Sequence, residues 1–457
     1  MRHPSVVTDA APAVPRPVER QPSTTGARVP ASRSHATVPP EQTARGLRFR
    51  SVRALHGART AWALGALAYA VAQLNRTSLA VAAPLAQQRF HLGATGLGVL
   101  TALQLLCYAC AQLPAGLVAD RYGPRAALTG ALLCMGAGQA VLAFVPGFTP
   151  AMVSRVLVGA GDGFVYLATL RLCASWFPQN RFAAVNNLTG AIGAIGQLCA
   201  ALPLAQALHL LGWQVSFGAV STASALLALV VALLLRDRPR SAPVPAPAPV
   251  GAAVLGAALR SRGVHLAVAA HLALMGPFVV FNALWGYTFL TQCHGLAPTT
   301  AQLLLTAGVG VTASVSWITG RAAARAPEIR VPLVIGVTGA HLAGWLLLWT
   351  GGPVSTVALF LLPLLVGGSG GVALLSFSFA KEDCPPQSAA TYCGVVNVIG
   401  FATALLSALA VGVLRDHLPG SPQTALGWAV LPIPALALAG LLALLRLRRP
   451  ALRRPRG

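Results

Sequence analysis

Residues 116–125 read GLVADRYGPR, a charged stretch with two glycines in a chain that is otherwise strongly apolar. Of the 457 residues, 55% are hydrophobic and only 9% are charged. A helix needs about 20 apolar residues to cross a bilayer, and apolar runs of that length lie on both sides of this stretch. It therefore reads as a short turn between two membrane spans of an integral membrane protein.

Outward from this turn, the sequence from about residue 60 to 446 divides into twelve apolar runs, which we number as spans 1 to 12. Gly and Pro are frequent inside them, as in other membrane helices. The predicted limits are 60–84, 95–117, 126–146, 149–173, 183–206, 213–235, 264–290, 300–319, 331–351, 354–379, 389–413 and 425–446. The predicted fold class is therefore all-α, with twelve transmembrane helices.

The formal net charge of +23 is placed unevenly. If the N-terminus lies inside, most of the 33 Lys and Arg residues fall in the two tails and the inner loops. The exceptions are Arg89 and Arg415 in outer loops, and Arg76, Arg155 and Arg171 within spans. This positive-inside asymmetry places both termini in the cytoplasm. It explains the basic charge without nucleic-acid binding.

Composition also predicts the domain boundaries. The segment 1–57 is rich in Pro, Ala, Arg, Ser and Thr without an apolar run, so we expect a disordered cytoplasmic tail. A six-helix bundle over 58–235 is followed by a Pro/Ala linker over 236–263. A second six-helix bundle covers 264–446, and a basic tail covers 447–457.

The two halves show a faint internal repeat. The turn after span 2 has a counterpart after span 8 at Gly320 and Arg325, where Ala324 stands in the place of Asp120. Internal repeats are typical of secondary transporters, whose halves move around a central site. The repeat predicts two pseudo-symmetric bundles.

Twelve spans in two halves, a long central inner loop, and GLVADRYGPR between spans 2 and 3 resemble the major facilitator superfamily (MFS). The resemblance covers about residues 58–446. It implies a transporter made of two six-helix bundles, and it does not indicate a substrate.

In that superfamily the loop after span 2 forms a latch on the cytoplasmic face. Carried over to this chain, Gly116 and Gly123 permit a tight turn, and Asp120 lies near the inner end of a neighbouring helix. Arg121 and Arg125 would bridge to Asp120 or to helix carbonyl ends. Such a latch would hold the outward-facing state. The alternative is that the two arginines only set the topology.

Ionisable groups inside a bilayer are costly, so each one in a span is a functional candidate. Asp162 in span 4 is the only acidic residue deep within a span, and Arg155 lies on the same helical face, roughly 10 Å away along the axis. The segment RVLVGAG, residues 155–161, also resembles the superfamily's span 4 pattern, in which this Arg is linked to proton movement. We predict that Asp162 carries the proton and that Arg155 tunes its pKa. The alternative is a structural charge pair.

Arg76 in span 1 is the other buried cation, and three roles are open. Its guanidinium could clamp a carboxylate of the solute through two parallel hydrogen bonds. It could instead pair with Asp162, or extend to the membrane interface. The first two roles are compatible, because a proton on Asp162 would free Arg76 for the solute.

Polar and aromatic residues near helix breakers are further candidates for lining a central cavity. They are Asn186 in span 5, Trp285 and Tyr287 in span 7, and Asn397 in span 11. In the superfamily, matching helices of both halves contribute to the site.

We therefore expect a proton-coupled secondary transporter of a small organic anion, working by alternating access in the inner or plasma membrane. The chain has no nucleotide-binding loop, so ATP does not drive it. No cofactor or metal is predicted, and we expect a monomer that interacts with the solute, protons and the lipid bilayer. A drug or natural-product exporter is the main alternative. A membrane enzyme is more remote, because the ten acidic residues are scattered. A transport-like sensor is equally remote, because we expect no large soluble output domain in this sequence.

Overall fold

The structure, a computed structural model, describes residues 40–92, 94–239, 252–349, 352–419 and 421–448. Throughout these ranges the chain is almost entirely helical. In chain order the α-helices are Pro40–Val81, Ala83–Phe90, Ala94–Tyr122, Pro124–Phe144, Phe148–Trp176, Gln179–Cys199, Ala205–Leu234, Ala252–Arg260, Arg262–Val279, Gly286–Thr288, Pro298–Arg325, Arg330–Trp349, Gly352–Ala373, Ser376–Glu382, Ala389–His417, Pro422–Ala429 and Pro432–Arg448. Short π-helical turns cover Ala200–Leu204, Val280–Trp285 and Phe289–Cys293.

Within the described ranges, ten helical stretches are long and apolar enough to cross a membrane. One of them, Gln179–Leu234, contains both span 5 and span 6, because the chain turns at Gly212 with φ 75° and ψ 179°. Span 1 lies in the helix Pro40–Val81, where Asn75 and Arg76 lower the hydropathy. The protein is therefore an all-α, multi-pass membrane protein with twelve spans.

The first helix extends into the predicted N-terminal tail. It begins at Pro40, inside the segment 1–57 that was predicted to be disordered. Proline is favourable in the first helical turn, and the Arg, Ala and Leu residues that follow are good helix formers. A second helix, Ala252–Arg260, lies inside the predicted linker. Residues 1–39 of the tail, 240–251 of the linker and 449–457 of the C-terminal tail lie outside the described residues.

The spans pack as two groups of six with matching contacts. In the first half, span 3 packs against spans 4 and 6, and span 2 packs against span 4. In the second half, span 9 packs against spans 10 and 12, and span 8 packs against span 10. The most extensive contacts between the halves are those of span 2 with span 11 and of span 5 with span 8, and span 4 also contacts span 11. The first two pairs are symmetry mates of each other.

The apolar core joins the halves on one side of the bundle. We call the side predicted to face the cytoplasm the inner side. There, a single cluster contains buried residues of both halves, including Phe182 and Phe377. On the outer side each half has its own cluster, around Trp213 in the first half and around Trp345 in the second. Apolar packing therefore closes the inner side.

Candidate functional site: the central cavity and the inner latch

Arg76 and Asp162 form an ion pair between spans 1 and 4. Nε of Arg76 donates to Oδ2 of Asp162 at 2.6 Å, and Nη2 donates to Oδ1 at 3.1 Å. Two parallel charge-assisted bonds are a strong geometry for this pair. The Asp162 side chain is 1% exposed and that of Arg76 is 18% exposed. Of the three roles considered for Arg76, pairing with Asp162 is the one seen in the structure.

Tyr108 of span 2 holds Arg76 from another side. The Arg76 guanidinium lies over the Tyr108 ring, with Cζ 4.3 Å from the ring centroid. A cation at this distance is attracted by the ring face. Sequence reasoning missed Tyr108, and the only signal for it was a tyrosine in the middle of an apolar span.

Arg155 forms no ion pair with Asp162, and its predicted tuning of the Asp162 pKa stays a prediction. Its guanidinium is fully buried and donates to Oε1 of Gln104 at 3.1 Å, to Oγ of Ser154 at 2.8 Å and to Oε1 of Gln139 at 3.4 Å. Side chains on a helix tilt toward its N-terminus, so the earlier residue points away from the later one. Arg155 is therefore held by neutral groups of spans 2, 3 and 4.

A small cavity of about 70 Å³ lies between the two halves. Residues of the first half that line it are Tyr69, Gln73, Arg76, Tyr108, Tyr166, Gly190, Ala194 and Gln197. Residues of the second half are Met275, Phe278, Val279, Thr312, Gly370, Leu374, Phe377, Asn397 and Phe401. This volume holds only a few water molecules, so a larger molecule would fit only if the halves separated further.

Asn397 and Asn186 both connect the halves. Nδ2 of Asn397 donates to Oε1 of Gln112 at 2.6 Å and to the Tyr108 hydroxyl at 3.3 Å. Nδ2 of Asn186 donates to the Leu374 carbonyl at 2.9 Å. Asn397 also lines the cavity, whereas Asn186 lies behind its lining.

Trp285 and Tyr287 lie away from the cavity, contrary to expectation. Trp285 Nε1 donates to the Ala408 carbonyl at 3.0 Å and so ties span 7 to span 11, and Tyr287 is 43% exposed. Trp285 and Tyr287 lie about two helical turns further along span 7 than Phe278, which lines the cavity. The π-helical turn Val280–Trp285 also changes the helical register between them.

On the inner side, Asp120 binds the start of the span 11 helix. Its carboxylate accepts bonds from Thr391 N–H at 2.7 Å, from the Thr391 hydroxyl at 2.7 Å and from Ala390 N–H at 3.2 Å. The first N–H groups of a helix have no partner within it and carry partial positive charge. Arg171 of span 4 completes the set, with Nε 3.0 Å from Oδ1 of Asp120. We call these four residues the inner latch.

The two loop arginines are not part of the inner latch, which corrects the predicted bonding. The Arg121 guanidinium lies 5.7 Å from the centroid of the Tyr122 ring, and the backbone N–H of Arg125 donates to Oδ1 of Asp237 at 2.7 Å. Consecutive helical residues point about 100° apart. Asp120 points between the halves, so Arg121 cannot also do so.

The loop glycines serve two different needs. A Cβ atom on Gly116 would lie 2.9 Å from the Ala390 carbonyl oxygen, so glycine permits the close approach of spans 2 and 11. Gly123 has φ 88°, which favours glycine, and it begins the turn into span 3.

The counterpart after span 8 keeps the glycine and lacks the acid. A Cβ atom on Gly320 would lie 2.6 Å from Cβ of Asn187 in span 5. Nδ2 of Asn187 donates to Oγ1 of Thr319 at 3.2 Å. This second junction is therefore neutral.

Three comparisons with known proteins agree on a family. Residues 65–408 match the sequence profile of the Major Facilitator Superfamily. The probable L-galactonate transporter of Escherichia coli is 29% identical over 46% of this chain and 45% of its own length. The hexuronate transporter of Bacillus subtilis is 25% identical over 38% of this chain and 41% of its own length. The chain thus matches less than half the length of these relatives.

The solved structure of the transporter FucP in the outward conformation has a similar fold. It superposes with a TM-score of 0.64 and 17% sequence identity, covering 85% of this chain and 99% of that chain. At this identity the similarity concerns the fold alone.

Proposed function

Because this chain belongs to the Major Facilitator Superfamily, we propose that it is a proton-coupled secondary transporter of a small organic anion, working by alternating access. The superfamily comprises transporters and not enzymes. The proposal places the chain in the inner or plasma membrane as a monomer, with both termini in the cytoplasm, in agreement with the positive-inside asymmetry.

The observation that carries the proposal is the bidentate Arg76–Asp162 pair at the edge of the cavity. Arg76 directs Nε and Nη2 at the carboxylate of Asp162. A carboxylate in the cavity gains those donors only when Asp162 releases them, and protonation of Asp162 removes the charge that holds them. Binding of a proton and binding of an anion therefore favour each other.

The relatives support the anionic class of solute. Besides the galactonate and hexuronate transporters, the chain resembles a putative tartrate transporter of Agrobacterium vitis, at 27% identity over 38% of this chain. The solutes named in all three are carboxylates. A guanidinium with two parallel donors suits a carboxylate well.

The closed inner side supports alternating access. The shared apolar cluster and the inner latch hold the halves together there, while the outer clusters are separate. Breaking the inner latch and closing the outer side would expose the same cavity to the cytoplasm.

The test is uptake into proteoliposomes containing the full-length chain, with an acidic exterior. Galactonate, glucuronate, tartrate, a neutral sugar and a cationic dye are compared. We expect uptake of a carboxylate that collapses with the pH gradient, is lost in Arg76→Gln, and no longer responds to the gradient in Asp162→Asn. Arg121→Gln, outside the pair, is the control and keeps uptake. Preferred transport of the dye, or coupling that survives Asp162→Asn, would contradict the proposal.

A further inference from the structure

The two halves contribute unlike surfaces to the cavity. On the first half lie the Arg76 guanidinium and the side chains of Gln73 and Tyr69. On the second half, the partly exposed lining residues include Met275, Phe278, Val279 and Phe401, which we call the apolar wall. A solute between the halves therefore meets a charged surface on one side and hydrocarbon on the other.

The polar side chains of the second half have already used their donors. The hydroxyl of Thr312 contacts the carbonyls of Gly308 at 3.0 Å and Gly367 at 2.7 Å, so its one hydrogen is engaged. Both N–H groups of the Asn397 amide are engaged by Gln112 and Tyr108. These two residues thus offer a solute no free donors.

The aromatic rings of the apolar wall are held in place by their neighbours. Phe401 packs edge to face on Tyr108, with ring centroids 4.8 Å apart at 63°. The Phe278 ring lies directly on the backbone of Gly370, where an added Cβ would come within 2.8 Å of Cγ. Rings fixed in this way form a preorganised apolar surface and do not turn aside for a polar ligand.

We infer that the cavity takes an amphipathic monocarboxylate, with its carboxylate at Arg76 and an aromatic or branched aliphatic body against the apolar wall. This inference rests on the proposed anion transport and narrows its substrate class. A polyhydroxylated acid would place hydroxyl groups against carbon atoms and lose hydrogen bonds to water without replacement. An aromatic or aliphatic body would instead bury apolar surface.

The test measures binding of phenylacetate and glucuronate to the full-length chain in detergent by isothermal titration calorimetry. Binding is preferred to uptake because protonated phenylacetate crosses bilayers without a carrier. We expect phenylacetate to bind at least about 10-fold more tightly than glucuronate, and to lose its binding in Arg76→Gln. Equal or tighter binding of glucuronate would overturn the inference.

A substitution in the apolar wall tests whether this wall causes the preference for phenylacetate over glucuronate. Phe401→Gln adds a donor and an acceptor, and we expect it to reduce the preference for phenylacetate by about 10-fold. The matched control is Phe144→Gln at the outer end of span 3, which is 60% exposed and outside the cavity, and it keeps the preference. An unchanged preference in Phe401→Gln would contradict the inference.

Failure of the inference and failure of the proposed function have different signatures. Preferential binding of glucuronate, with uptake coupled to protons through Asp162, would support the proposed anion transport. It would also show that the inference about the apolar wall is wrong. If none of phenylacetate, glucuronate, galactonate and tartrate binds, both the proposed function and the inference about the apolar wall are contradicted.

Discussion

The two junctions between the halves share a packing scheme and differ in charge. At both, a glycine brings two helices together: Gly116 lies against span 11, and Gly320 lies against span 5. Only the first junction contains an acid, because Asp120 corresponds to Ala324 in the second. The repeat has thus kept the shape of the contact while the charged inner latch exists once.

The same division holds at the level of the cavity. The buried Arg76–Asp162 pair and Arg155 belong to the first half, while the second half presents the apolar wall. In this account the first half binds the proton and the charge of the solute. The second half moves against it and selects the body of the solute.

Breaking the ion pair should have the largest effect. Arg76→Gln leaves the Asp162 carboxylate buried without its partner, which typically costs about 3–5 kcal/mol. We expect uptake to fall to background and thermal stability to drop. The double variant Arg76→Gln with Asp162→Asn should recover much of the stability but no uptake. A single variant as stable as the parent would show that the pair is not a buried charge pair.

Weakening the inner latch should have the next largest effect. Asp120→Asn loses the ion pair with Arg171 and weakens the contact with Thr391, so the inner side should open more often. A bond to a charged group contributes about 1.5–3 kcal/mol, which corresponds to a shift of about 10- to 150-fold. The labelling rate of the buried Cys393 by a small maleimide, assigned by mass spectrometry, should rise accordingly.

Arg121→Ala is the matched control for the inner latch, because the Arg121 guanidinium lies over the Tyr122 ring. Its Cys393 labelling rate should equal that of the parent chain. An equal rise in both variants would assign the effect to loop charge in general and not to the contact between Asp120 and span 11.

Replacing Gly116 and Gly320 by valine tests whether the two glycines are packed equally tightly. Gly116→Val would meet the Ala390 backbone, and Gly320→Val would meet Asn187. Overpacking of this kind costs about 1–3 kcal/mol, so both should open the inner side by similar amounts in the labelling assay. Gly336→Ala is the control, because its added Cβ meets nothing within 4 Å. An effect confined to Gly116→Val would show that the second junction is not a true counterpart.

The neutral bond at the second junction should contribute least. Asn187→Ala removes the bond to Thr319, and interhelical hydrogen bonds in membranes average about 0.6 kcal/mol. We expect Cys393 labelling to rise less than 3-fold, well below the change in Asp120→Asn. An effect as large as that of Asp120→Asn would remove the contrast between the charged and the neutral junction.

The fold was largely predictable because its signals are local. Twenty-residue apolar runs and the uneven placement of Arg follow from the properties of the bilayer. Gly123 likewise indicates a turn at its own position in the sequence. Arg76 and Asp162 were predictable for a related reason, because a charge in an apolar span is conspicuous. Asp120 stood out as the acid of the charged turn after span 2.

Their partners were not predictable, because partners depend on how distant helices face one another. Asp120 meets Arg171 and Thr391 across long sequence separations, and its neighbour Arg121 was the closer choice in sequence. Tyr108 and Gln112 look like ordinary residues of span 2 until span 11 brings Asn397 to them. Trp285 was misplaced because the π-helical turn in span 7 changes its register.

The central claim is that Asp162 takes up a proton when the Arg76 guanidinium leaves it to bind an anion. Calorimetric titration of the anion in buffers of different ionisation enthalpy, at one neutral pH, gives the number of protons taken up per anion bound. The account predicts uptake of about one proton in the parent chain and none in Asp162→Asn. Binding without proton uptake in the parent chain, or equal uptake in both, would contradict it.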